Sequence, residues 1–190
     1  MQSTSRGGLL VLAASVAALA GGTGTETRLG YSDQTTLYYP ELVGQAATKG
    51  ELPTVIRGNP FGNSLGDPQA IAAAIRPPAR YSSVHLSTNP QLVSPDGYRL
   101  VLIFDPPVNA PSGDLACRDK DAAEGGNSAG PVRVQASFCI GNRLASQVTG
   151  TGAPASSPDA PAFQSLMGQV MEVMFPPIKR DIGDGTQFPK

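Results

Sequence analysis

Tryptophan is absent from this chain of 190 residues, histidine occurs once and cysteine twice. Charge is sparse as well: Asp, Glu, Lys and Arg make up 15% of the chain, and the formal net charge is −1. No cluster of Lys and Arg stands out, which argues against nucleic acid as a partner, because neutralising phosphates needs a basic patch. One histidine and two cysteines without CxxC or HxxxH spacing make a poor metal site, and none is expected. Asp181, Asp184 and Gly185 lack the full D-x-D-x-D-G spacing and closing Glu of a calcium loop. The glycines lie in irregular stretches, not between strand and helix at phosphate-loop or dinucleotide spacing, so no cofactor is expected.

What the chain has in quantity is glycine, 22 residues, and proline, 18 residues, which break it into short core-forming runs joined by irregular segments. The length allows one domain plus tails. At the N-terminus Arg6 precedes the apolar run Leu9 to Ala20. That run is too short to cross a bilayer comfortably and fits the h-region of a secretory signal. Ala18-Leu19-Ala20 supplies a small-x-small cleavage pattern, so a mature chain would begin at Gly21. If uncleaved, this segment would be the membrane contact. The expected location is the periplasm or outside the cell, with outer-membrane association left open. Two cysteines in an exported chain usually pair, so Cys117 and Cys139 are expected as a disulfide worth about 3 kcal/mol in the loop-entropy model.

The remainder divides into a flexible arm (21–50), a folded domain (51–176) and a mobile tail (177–190). In the arm, Leu37-Tyr38-Tyr39-Pro40 is an aromatic cluster that either docks on the domain or meets a partner. Glu51 to Arg57 reads as a strand. Asp67-Pro68 opens a helix, with an acceptor at the N-cap and proline in the first turn; Ile71, Ala74 and Ile75 form its stripe and Pro77-Pro78 stops it. Strands follow at Tyr81–Ser87 and Tyr98–Phe104, the second so continuously apolar that both its faces should be covered. Residues Asp105 to Gly130 read as a long loop.

From Val132 to Ile140 apolar and polar residues alternate strictly, which places Cys139 on the polar face and predicts that the Cys117 loop crosses the solvent side of the sheet. Gly141-Asn142 marks a hairpin. A three-residue loop, Gly141 to Arg143, would pair Ile140 with Leu144 and Ala136 with Val148, burying one face of both strands, whereas a two-residue loop would put Leu144 and Val148 on the polar face. The pattern favours three. The last element, about Ala162 to Phe175, carries Phe163, Leu166, Met167, Val170, Met171 and Met174 at helical spacing, either a core stripe or an adaptable groove. The expected fold is α+β, with about five strands in the order β-α-β-β-β-β-α. The sheet would be mixed or mostly antiparallel, with both helices on one face.

Two G-x-S-x-G matches bear on catalysis. Gly62-Asn63-Ser64-Leu65-Gly66 leads into the Asp67 cap, too far from its strand for a nucleophile elbow. Gly126-Asn127-Ser128-Ala129-Gly130-Pro131 resembles the G-[DN]-S-G-G-P segment of chymotrypsin-like serine proteases, with Ala129 where glycine is usual. That resemblance implies Ser128 as nucleophile, Gly126 as an oxyanion donor, His85 as base and Asp96 or Asp105 orienting it. His85 and Ser128 stand too close in sequence for most of two six-stranded barrels.

Leu19-Ala20-Gly21, the Asp67–Arg76 helix, the Val132–Val148 hairpin and Met171 to Pro177 together resemble uncharacterised envelope lipoprotein families of Gram-negative bacteria. In these a signal peptide and a flexible arm precede a small α+β domain whose last helix ends in Phe-Pro. The lipidated Cys of such a lipobox is replaced here by Gly22. The resemblance implies no reaction. The expectation is a non-catalytic exported protein that binds another envelope protein or a cell-wall component, using the 105–130 loop and the Tyr38-Tyr39 segment. The alternative is a small secreted serine hydrolase using Ser128 with His85.

Overall fold

The computed structural model describes residues 26–179 except 48, 63, 95, 108–112, 119–124 and 128–129. The signal segment 1–20, Ser128 and most of the expected tail therefore lie outside the described residues. Strand β1 (Arg28–Gln34) is followed by α1 (Glu41–Ala46), β2 (Glu51–Arg57), α2 (Pro68–Ala74), β3 (His85–Ser87) and β4 (Tyr98–Phe104). Then come α3 (Gly113–Arg118), β5 (Pro131–Ile140), β6 (Arg143–Pro154) and α4 (Pro161–Met174). The fold is α+β, a six-stranded mixed sheet in the order β1-β6-β5-β4-β2-β3. The β1–β6, β6–β5 and β5–β4 pairs are antiparallel, and β4–β2 and β2–β3 are parallel.

The alternation in β4 explains why the sheet has two covered faces. Leu100, Leu102 and Phe104 enter the main core, while Val101 and Ile103 enter a smaller one on the other side. The main core is roofed by α4, whose Phe163, Leu166, Met167, Val170, Met171 and Met174 are all fully buried. Each such side chain contributes about 1.5–3 kcal/mol on leaving water, so the methionine stripe is core. Helix α2 lies beside it on the same face, tied by Gln164 Nε2 donating to the Ala74 carbonyl at 3.1 Å. Its start is the expected one, with the Asp67 carboxylate accepting from Ala70 N–H at 2.9 Å.

Several expectations change. The arm is not free along its whole length. Residues 28–34 form an edge strand and 41–46 a helix, with Val43 and Ala46 in the main core. Their apolar residues are few because an edge strand and a single-turn-and-a-half helix bury little, so periodicity did not register there. The loop between β4 and β5 holds α3, and the expected strand from Tyr81 shrinks to His85–Ser87, preceded by a 3-10 turn at Ala79–Tyr81.

The hairpin loop has two residues, since Ile140 pairs with Arg143. Gly141 has φ 56° and Asn142 is not left-handed, the glycine-first pattern of a type II′ turn. A β-bulge then restores the burial that a three-residue loop was expected to supply. Cys139 pairs with Leu144, Phe138 with Ser146, and Ala145 is the extra residue. Ala136 consequently does face Val148. Leu144 goes to the smaller core and Ala145 and Val148 to the main one, so no large apolar side chain is stranded.

Candidate binding surface

The Tyr38-Tyr39 pair is split by the fold. Tyr38 is 0% exposed and belongs to the core, a correction to its expected place on a binding surface. Its hydroxyl donates to the Pro176 carbonyl at 3.0 Å, and the Tyr81 hydroxyl donates to the Pro40 carbonyl at 2.8 Å. Burial pushes the Tyr38 phenol well above its ordinary value of 10.0, and the neighbouring Tyr81 raises it further. Arg80 completes the latch: it pairs with Glu172 at 3.0 Å, donates to the Phe175 carbonyl and lies over the Tyr81 ring. The end of α4 is therefore closed by side chains from the 36–40 and 79–81 turns.

On this base sits Tyr39, 51% exposed, with Lys179 Nζ 4.1 Å from its ring centroid. The same ammonium donates to the Thr36 carbonyl at 2.9 Å. Ile178, 76% exposed, is the neighbouring residue in the chain. The patch thus presents an aromatic ring and a cation on a backbone fixed from beneath, with an exposed aliphatic residue next along the chain. Ile178 and Lys179 were missed in sequence because they follow a helix-stopping Pro176-Pro177 and belong to no periodic element.

The second face of the sheet is closed by α3. Cys117 and Cys139 form the expected disulfide, S–S 2.04 Å, and both are fully buried. The expected crossing on that side is observed, but the face is a small core of Val101, Ile103, Ala116 and Leu144, not a solvated one. Arg99 reaches over it to donate to the Cys117 carbonyl; burial and the nearby Arg57 hold its guanidinium below the ordinary value. Leu115, from the same helix, is 47% exposed.

At the carboxyl ends of β2 and β4 the chain returns through Gly125 and Gly126. Gly126 N–H donates to both the Phe104 and Asp105 carbonyls at 3.1 Å, and its own carbonyl accepts from Asn59 N–H at 2.9 Å. Asp105 is left-handed, φ 47°, and its carboxylate pairs with Arg133. An N–H engaged in this way is not the free donor that an oxyanion hole needs. His85 lies at the opposite end of the sheet. It pairs with Glu51, whereas the glycine segment sits beyond Arg57, six residue steps away and roughly 20 Å at the strand rise. Asp96 is exposed before the start of β4, toward the His85 end, whereas Asp105 lies beyond the other end of β4, so His85 is separated from both Asp105 and Gly126; Ser128 lies outside the described residues. Ser64 is exposed in the turn before α2.

Among the described residues no helix is long and apolar enough to cross a membrane. No protein-family model matches the chain, and neither a curated protein nor a solved structure matches it.

Proposed function

We propose that this is a non-catalytic exported protein that binds another component of the cell envelope, a periplasmic or outer-membrane protein or a cell-wall component. The observation that carries this reading is the Tyr39–Ile178–Lys179 surface held rigidly by buried Tyr38. Exposed aromatics on a preorganised backbone make good anchors, because little conformational entropy is lost when a partner covers them. The apolar Leu9–Ala20 segment and the Cys117–Cys139 disulfide support export. Leu115 on α3 adds an exposed apolar side chain from the loop region that sequence reading favoured.

The test replaces Tyr39 by a photo-crosslinking aromatic residue in cells and compares it with the same change at Tyr31, which is 60% exposed on edge strand β1. A discrete adduct from position 39 and none from position 31, abolished by adding Ile178→Asp, is expected. Equal labelling at both positions, or none at either, overturns the proposal.

A further inference from the structure

Strand β2 spans seven residues but its outer neighbour β3 only three, and β3 pairs only with Glu51, Leu52 and Pro53. The chain then leaves the sheet. Asn89 accepts from Gln91 N–H at 3.0 Å and caps a 3-10 turn that begins at Pro90, whose fixed φ suits a first helical position. From Thr54 to Arg57, β2 is paired with β4 on one side and, among the described residues, has no strand opposite on the other.

Backbone parity shows which groups face that open edge. His85 N–H donates to the Gly50 carbonyl at 2.7 Å, on the β3 side. Asn59 N–H donates to Gly126 on the β4 side. Even-numbered residues of β2 thus aim outward and odd-numbered ones toward β4, as the two-residue period requires. The Thr54 carbonyl and the Ile56 N–H and carbonyl therefore point to the edge. In front of them is a cavity of about 390 Å³ lined by Thr54, Ile56, Pro68, Thr88, Pro90 and Val93, within the usual size of ligand clefts. The other edge strand, β1, is interrupted by a bulge between Leu29 and Ser32, a device that discourages edge pairing. The outer edge of β2 carries no such interruption.

The geometry points to strand addition: the slot takes an extended polypeptide segment from a partner, about four residues long, adding to β2 beyond the end of β3. Three outward groups spaced along one strand are matched by a second extended backbone, and main-chain pairing gives affinity while flanking pockets give preference. The walls are prolines, valine and threonine methyl, so the segment carries small or β-branched apolar side chains. This rests on the binding reading above, but it uses a different surface, so failure at Tyr39 and failure here are distinguishable.

The experiment pans a random heptapeptide display library on the full exported chain and follows amide hydrogen exchange with a selected synthetic peptide. In the free protein, Ile56 N–H should exchange faster than Val55 and Arg57, which face β4. Peptide at about ten times its Kd should slow Ile56 about tenfold by mass action. Val93→Trp, which fills the slot without altering the β2 backbone, should abolish that slowing. Where this variant fails to fold, a peptide N-methylated on alternate amides, applied to the unaltered protein, takes its place and should give no slowing. Four results overturn the proposal: Ile56 already as protected as Val55, no peptide selected, a selected peptide that leaves Ile56 unchanged, or protection that rises with protein concentration alone. The last would mean self-pairing of two copies.

Discussion

Reducing the Cys117–Cys139 disulfide should cost the domain about 3 kcal/mol. The two residues are 22 apart in sequence, and for a loop of that size the chain-entropy relation gives an entropy near 11 cal/mol/K, or about 3 kcal/mol at 25 °C. The effect acts mainly on the unfolded chain, but it has a folded-state focus. Helix α3 is only six residues long, too short to persist by itself. It is held by the disulfide, by Asp114 accepting from Leu144 N–H at 3.2 Å and by Gln147 accepting from Gly113 N–H at 2.9 Å. The assay is equilibrium urea unfolding of one protein sample with and without a phosphine reductant. The midpoint should fall by an amount equivalent to about 3 kcal/mol, and Tm by roughly 6–12 °C for a domain of this size. The slope should rise slightly, because the uncrosslinked chain exposes more surface. Cys117→Ala with Cys139→Ala should match the reduced protein within about 1 kcal/mol. A loss on reduction below about 1 kcal/mol would refute the reasoning, since constraint of the unfolded chain would then be offset elsewhere.

Gly58→Ala should destabilise by about 3 kcal/mol or more, since the position has φ 79° and a Cβ would lie 2.5 Å from the Phe104 carbonyl oxygen; thermal unfolding reads it directly. Tyr38 should resist ionisation in an ultraviolet pH titration. Its folded pKa is raised above 10.0, so its contribution to stability is complete below that pH and is lost as pH climbs above it. Tyr38→Phe should flatten that alkaline loss while lowering stability at neutral pH by about 1 kcal/mol through the missing bond to Pro176. Exposure to a fluorophosphonate should leave the intact mass unchanged, and His85→Ala, at an exposed site, should alter stability by no more than about 0.5 kcal/mol. An adduct on Ser128 would return the hydrolase reading.

Much of the framework was legible in the sequence wherever a burial pattern repeats within one element. The bounds of β2 and β4, the start of α2 at Asp67 and the core stripe of α4 follow from local periods and caps. Residues with weak local signal were not legible. β1 is defined by pairing with β6 more than a hundred residues later, and α3 by a disulfide and two side-chain bonds to β6. The candidate surface was half legible. Adjacent tyrosines mark an aromatic site, yet nothing local decides which ring turns inward.

The sequence alone determined the class of fold, the alternation that separates the two cores, the apolar run at the N-terminus and the pairing of its only two cysteines. Tertiary structure decided register and access. The hairpin loop could be two residues long because a bulge at Ala145 re-phased β6, a choice made by burial on both faces at once. Tyr38 was taken into the core because Pro176, brought there by α4, offered its hydroxyl a carbonyl; Tyr39 was left outside. Among the described residues the outer edge of β2 has no partner strand from Thr54 onward, because the chain ends β3 after three residues and enters a 3-10 turn at Pro90. Periodicity is a property of neighbours along the chain, whereas these outcomes depend on hydrogen bonds and contacts between residues far apart in it.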